Sequence, residues 1–509
     1  MKKIKLFIFI LLIVSFLIVL FYAIFGTSIS FLSSKEIKEN RKLKEDLINE
    51  IKINNIEAIY DKNSNTYLYT VSEKYQNNIY VLNIDLENQF KYKIVDETLN
   101  IIKVDYNKPI NIVIYNDKYY YETKIQITNL PIVNIKSEDI ITKNETKSEF
   151  CYINPNNQEK TIKTNSEIHI RGATSTLFPK KSYKVSFVNK NYNKDKELYI
   201  SNFYYGESLI LDAVYRDPSK IRNLLATELW NDISNDFTNI NIYSEFVEVF
   251  INNEYKGLYV LTEPINRRKL NLSKSTDINT SIVVKSSGWI TPKNNLNFEL
   301  IVNDSYLDYE LKYPNDEVLY SISWKKFLEK TSKYYDSFTD SSYEIINETF
   351  NIENYIDLII FNAFINNCDN NIKKNNYFYI KNLNDNNFFI QPWDMEYSFG
   401  LNYSSKNELL IEKNMDDYDE IYTEVIHDSS EINNLLINRY CKLRESVLTK
   451  QYFENILNNY KEELTKGASL RDSSVWYEYD IEKEIDDIKE WLYNRLDYMD
   501  KYMKDLENV

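Results

Sequence analysis

IIFNAFINNCDNNIKKNNYFYIKNLNDNNFFIQPWDMEYSFG, residues 359–400, decides how this chain is read. Apolar spacing through Ile365 predicts a helix ending near Asn367, with Asp369 at its C-terminal edge. An Asn/Lys loop comes next, then a strand from Tyr377 to Ile380, a turn, and a second strand from Phe388 to Gln391. That strand delivers Trp393-Asp394-Met395-Glu396, with Phe399-Gly400 just after. An Asp on a loop, an Asn a few residues on, and a strand leading to a second Asp supply carboxylate and amide oxygens. Those are the donors Mg²⁺ prefers, and no histidine is needed. Two carboxylates also fit a glycosidase acid pair.

Upstream, HIRGATSTLFPKKSYKVSF (residues 169–187) begins as a strand, turns at Gly172, and resumes as a strand after Pro179. Arg171, Lys180, Lys181 and Lys184 surround a turn rich in small and hydroxyl residues, including Ser175. Such a turn offers backbone N–H groups, hydroxyls and positive charge to a phosphate. A solvated basic hairpin has the same composition. Together with the Asn between the two carboxylates, the turn favours phosphate over sugar chemistry. In residues 209–233, Asp217-Pro218 opens an amphipathic helix with Arg222 and Asn223 in its first turns. Arg222 suits a phosphate or a structural carboxylate equally. Residues 246–270 read as a hairpin turning at Asn252-Asn253, with Glu263 at the end of its second strand. A carboxylate there is usually solvated, but it can also orient a lysine.

Composition sets the outer bounds. The chain has 509 residues and a net charge of −15, which disfavours nucleic acid as a partner. Its three cysteines lie far apart and its histidines number two, so neither a zinc signature nor a His-rich metal site is present. Glycines number only 7, where average usage gives roughly 35, so each one marks a backbone position with a specific need. Leu6 to Phe25 is apolar apart from Ser15 and long enough, at about 30 Å, to span a bilayer. Lys2, Lys3 and Lys5 precede it and favour an N-terminus inside and the bulk outside. This predicts a single-pass membrane anchor over residues 1–27, rather than a cleaved signal, with the C-terminal domain extracytoplasmic. Residues 28–55 read as a polar helical stalk, and 56–130 as a small antiparallel β-rich, sandwich-like domain serving as a spacer.

Taken in order, these blocks resemble the CotH family, the spore coat protein H type of atypical protein kinase. The matching residues are Arg171-Gly172…Lys180-Lys181, Arg222-Asn223, Gly257-Leu258-Tyr259…Glu263, Asp369…Asn376 and Trp393-Asp394-Met395-Glu396…Phe399-Gly400. In the tail they are Arg439-Tyr440, Leu443-Arg444 and a closing helix with Arg495…Asp500. The likeness covers about residues 131–505. It implies an α+β, reduced protein-kinase-like domain, ATP and Mg²⁺ as cofactors, and transfer of the γ-phosphoryl group to Ser/Thr of a spore coat or envelope protein. By position, Asp369 is the catalytic Asp, while Asn376 and Asp394, with Glu396, hold the metal. Lys180, Lys181, Arg171 and Arg222 bind phosphate around Gly172 and Ser175, Glu263 orients one of the lysines, and Trp393 stacks near the base or packs. Two features depart from the family pattern: a longer Asp369–Asn376 loop, which makes Asn375 a rival ligand, and Glu396 in place of Asp. Two other classes stay open, a non-catalytic coat or envelope assembly protein that retains the fold and a carbohydrate-active enzyme using Asp369 and Asp394.

Overall fold

The computed structural model describes residues 41–42, 51–75, 79–86, 90–95, 100–157, 161–193, 195–200, 204–234, 240–276, 280–287, 305–306, 309–315, 317–336, 343–367, 369–370, 375–401 and 430–506. The Leu6–Phe25 segment lies outside these residues. Among the described residues, no helix is long and apolar enough to cross a membrane. The expected stalk differs where it is described. Arg41–Lys42 and Ile51–Ile53 are short strands of the first sheet rather than helix. Ile51 and Ile53 are fully buried, so their alternation serves a sheet face.

The fold is mixed α+β. The N-terminal sheet runs in the order Ile84–Asp85, Ile51–Ile53, Ile56–Asp61, Thr66–Thr70, Tyr119–Thr128, Ile110–Tyr115 and Lys91–Ile94. It has its own apolar core, which includes Tyr67, Tyr69, Ile125 and Ile127. It also docks firmly on the strands that come after it in the chain. Asp61 accepts the Tyr255 N–H at 3.1 Å, and Ile59 and Leu68 pack with Ile132, Cys151 and Phe250 in a shared cluster.

Seven strands then close into a barrel: Ile132–Lys136, Thr146–Ile153, Ile162–Arg171, Ser182–Phe187, Ser208–Asp212, Glu254–Thr262 and Ser244–Ile251. The last of these pairs in parallel with the first. Alternating apolar residues such as Val133, Phe150, Val185 and Leu211 fill the interior. The Asn252-Asn253 turn forms as expected, with φ of 52° and 59°, the left-handed pair that a tight hairpin requires.

A second sheet, in the order Ser305–Tyr306, Tyr309–Tyr313, Ile282–Ser287, Asn375–Lys381 and Phe389–Pro392, faces the barrel across a cleft. Helices Arg222–Ser234 and Ile352–Ile365 meet beside this cleft, with the Trp230 and Phe361 rings 5.1 Å apart. Helices Ser430–Arg444, Lys450–Leu464, Ala468–Val475 and Ile481–Leu506 cover the rear. The arginines of the tail are structural. Arg439 grips Asp357 through Nε at 2.6 Å, and Arg444 grips Asp500 at 2.8 Å. The buried Arg495 donates to the carbonyls of Ala363 and Phe364, at the end of the helix that leads to Asp369. A cation at that end satisfies last-turn carbonyls and opposes the helix dipole.

Candidate active site

Between the barrel and the second sheet lies a cavity of about 480 Å³. The barrel side contributes Arg171, Gly172, Ser175 and Asp212, and the sheet side contributes Lys285, Asn376, Trp393 and Asp394, with Asp369 and Glu396 between them. A wider cavity of about 710 Å³ opens where the N-terminal sheet meets the barrel, but it holds none of the residues singled out from sequence.

The Asp369 loop is held by its own amides. Helix Ile352–Ile365 ends at Asn366 in the left-handed conformation (φ 49°), which turns the chain out of the helix. Asn367 then accepts the N–H of Asp369 at 3.0 Å and that of Asn370 at 3.3 Å. Asn376 donates through Nδ2 to Asp369 Oδ2 and to Asn370 Oδ1, both at 3.2 Å. The Asn370 side chain reaches the Trp393 carbonyl at 2.9 Å, and the Trp393 N–H bonds the Asn376 carbonyl at 2.8 Å. Asp369, Asn376 and Asp394 are thus parts of one braced loop pair. The Asn376 side chain joins this network and lines the cavity. Asn376 (φ 60°) and Asp394 (φ 58°) both occupy left-handed backbone, a conformation that persists only where the surroundings impose it.

The acidic groups crowd one another. Asp394 is open to the cavity yet ringed by protein. Burial, then the charges of Asp212 and Asp369, push its carboxyl up to about 6, against the pull of Arg171 and Lys285. Burial, then Asp212 and Asp394, hold Glu396 well above the usual carboxylate range, and its Oε1 is buried with no hydrogen-bond partner among the described residues. Among the described residues, no three carboxylate, imidazole or thiol side chains converge tightly enough to hold a metal ion alone. Mg²⁺ seldom uses an all-protein cage. It binds one or two carboxylates and completes its shell with phosphate oxygens and water. Mutually repelling carboxylates, an orphaned carboxylate oxygen and a nearby amide fit such an ion, with Asp394 and Glu396 as the anionic donors and Asn376 beside them.

The cations divide differently from the sequence reading. Lys180 is fully buried and donates to Asp472 Oδ1 at 2.7 Å and to the Leu258 carbonyl, away from the cavity lining. Lys181 donates to the carbonyls of Thr176 and Phe178 and so stitches the Gly172 turn together. Arg222 pairs with Asp217, the structural alternative. Glu263 orients neither expected lysine. It pairs with Lys269 and accepts the Tyr243 N–H at 3.0 Å, because Glu263 lies one residue past the end of its barrel strand and its own N–H bonds the Tyr243 carbonyl there. None of these four lines the cavity. Arg171, Gly172, Ser175, Trp393, Asn376, Asp394, Glu396 and Asp369 do. At Gly172 (φ 102°), a Cβ would collide with Ser175 Oγ, so the turn requires glycine.

Sequence reasoning misses Asp212, Arg216 and Lys285, and it finds Asn223 only as half of the Arg-Asn pair. The Asn223 side chain donates to Asp212 at 3.3 Å and accepts the Met395 N–H at 3.0 Å, tying the barrel rim to the Trp393-Asp394 segment. Arg216 lies over the Phe178 ring, 5.4 Å from its centroid. Among the described residues, Arg171, Arg216 and Lys285 have neither an ion pair nor a side-chain hydrogen bond, and all three line the cavity. A comparison with curated proteins found no match. Residues 168–499 match the family model described as CotH kinase protein, a span that begins just before the Gly172 turn and ends in the closing helix. With the match taking in well over half of the chain and the whole cavity lining, this protein belongs to the CotH kinase family.

Proposed function

We propose that the chain transfers the γ-phosphoryl group of ATP, with Mg²⁺, to a Ser/Thr hydroxyl of a spore coat or envelope protein, from a protein-kinase-like domain tethered to a membrane by residues 6–25. One observation carries this reading. Three cations with no ion pair or side-chain hydrogen bond among the described residues, Arg171, Arg216 and Lys285, line a single cavity with Asp394, Glu396 and Asp369. A site with excess carboxylate and uncommitted cations suits a polyphosphate with its metal. An acid-pair glycosidase has no use for three such cations.

In this reading Mg²⁺, when bound, neutralises the phosphate oxygens against Asp394 and Glu396. Arg171, Arg216 and Lys285 hold the polyphosphate in place, and the Gly172 turn lets backbone approach it closely. Asp369, oriented by Asn376, accepts or orients the proton of the attacking hydroxyl. Trp393, edge-on to Phe378 at 5.8 Å, forms an aromatic wall of the cavity. The Lys2, Lys3 and Lys5 charges support an outward-facing domain.

The test is phosphate transfer from radiolabelled ATP to a coat- or envelope-protein extract by the full chain, with and without chelator. Labelling that needs Mg²⁺ and disappears in Asp369→Asn supports the reading. Labelling by neither protein excludes it.

A further inference from the structure

Lys285 comes from strand Ile282–Ser287, which no sequence motif marks. Its position is set by register. It lies opposite Phe378 on strand Asn375–Lys381, two residues beyond Asn376, and a bulge at Ser286/Ser287 shifts the pairing beside it. Its ammonium sits 5.9 Å from the centre of the Phe378 ring, whose other neighbour is Trp393. Lys285, Phe378 and Trp393 therefore share one face of the second sheet, the face toward the cavity. Lys285 is only partly exposed, yet it makes no hydrogen bond or ion pair among the described residues. A half-buried ammonium with three unused donors has given up water without gaining a partner. Arg171, from the barrel side, is the charge that acts on it most strongly; Asp394 and Glu310 are the carboxylates that act on it, and Glu310, opposite it on strand Tyr309–Tyr313, is paired with Lys312.

We infer that Lys285 and Arg171 form a two-sided clamp on the terminal phosphate of a nucleoside triphosphate, with Lys285 discriminating triphosphate from diphosphate. This rests on the phosphoryl-transfer reading and adds a specificity residue to it. Sharing the cavity with Asp394 is what ties Lys285 to the transferring end, because the carboxylate that serves the metal marks the end of the polyphosphate where charge shifts during transfer. Lys180 and Lys181, the lysines that the sequence offers for this task, are held by Asp472 and by loop carbonyls instead.

The experiment is titration calorimetry of the full chain in detergent with Mg²⁺–ATP and Mg²⁺–ADP, for wild type, Lys285→Met, Lys285→Gln and Lys285→Arg. Removing one charge-assisted hydrogen bond to phosphate should weaken Mg²⁺–ATP about tenfold or more in the Met and Gln variants. Mg²⁺–ADP should change far less, and Lys285→Arg should stay near wild type for both. Equal weakening of both nucleotides, or no change in either, overturns the Lys285 assignment while wild-type binding leaves the broader function standing. A wild-type protein that binds neither nucleotide removes both. Unliganded melts of each variant identify any loss of fold, and the Gln variant keeps the comparison if Met fails.

Discussion

Lys180 Nζ lies 2.7 Å from Asp472 Oδ1, and both side chains are completely buried. The two residues are 292 positions apart, and their ion pair joins the barrel to the C-terminal helices. Asp472 also accepts the Leu258 N–H at 2.9 Å and the Tyr479 hydroxyl at 3.0 Å, and Lys220 approaches it to 3.8 Å. Burial draws Lys180 below its ordinary value and Lys220 down to about 8, with Asp472 opposing in each case. This carboxylate anchors the tail to the barrel. Asp472→Ala should cost roughly 3–5 kcal/mol in denaturant unfolding, because it leaves two buried ammonium groups uncompensated. A loss below about 1 kcal/mol would show that the cluster tolerates its absence.

Gly257 sits against the same carboxylate. Its φ is 101°, and a Cβ there would collide with Asp472 Oδ1 and come within 2.9 Å of Trp476 Nε1. Gly257→Ala should destabilise by about 2 kcal/mol or more, from backbone strain and displacement of the Asp472 carboxylate. Equilibrium unfolding in urea measures this, and the loss should shrink when Asp472→Ala is already present.

Arg495 braces the other side of the cleft through the carbonyls of Ala363 and Phe364, just before the turn into Asp369. Arg495→Met should cost about 2–3 kcal/mol and speed amide hydrogen exchange at Asn366, Asn367, Asp369 and Asn370. Unchanged exchange there would mean that the Asn367–Asn376 network holds the loop unaided.

The pH dependence comes from Asp394. Its carboxyl, raised from 3.8 to about 6, binds its proton more tightly in the folded protein than in the unfolded chain. Its contribution to stability is therefore present below pH 3.8 and is lost as pH rises through about 6. Metal–nucleotide affinity should move the other way over that window, rising as the carboxylate becomes charged. Asp394→Asn should flatten both profiles. Binding that stays constant in wild type as pH rises through about 6 would exclude Asp394 as a donor.

What can be read in the sequence tracks the range of the interactions. Asp369, Asn376 and Asp394 are legible because one helix end and two short strands place them, all within about forty residues of chain. The Asn252-Asn253 hairpin is legible for the same reason. The roles of Lys180 and Lys181 are misjudged because their partners are invisible locally. Asp472 comes from a distant helix, and the carbonyls that bind Lys181 depend on how the Gly172 turn folds. Lys285 and Asp212 escape notice because each is a single charged residue in a short, mostly uncharged strand, and only sheet register and barrel closure bring them to the cleft. The stalk is misread because the short strand at Ile51–Ile53 closes a charged stretch whose composition suits a polar helix, and only pairing within the first sheet shows it as a strand.

The proposed function stands on a metal-dependent nucleotide site at Asp394. The most direct measurement is a thermal melt of the full chain, since the N-terminal sheet is docked on the barrel through Asp61 and Tyr255. Wild type and Asp394→Ala are each melted with Mg²⁺–ATP, with ATP plus chelator, and with neither. At about 100 times its dissociation constant, Mg²⁺–ATP should stabilise wild type by about 2.7 kcal/mol. Chelator and Asp394→Ala should each abolish that gain while Asp394→Ala still melts cooperatively. A wild-type melt that does not move at millimolar Mg²⁺–ATP would rule out a nucleotide site at Asp394.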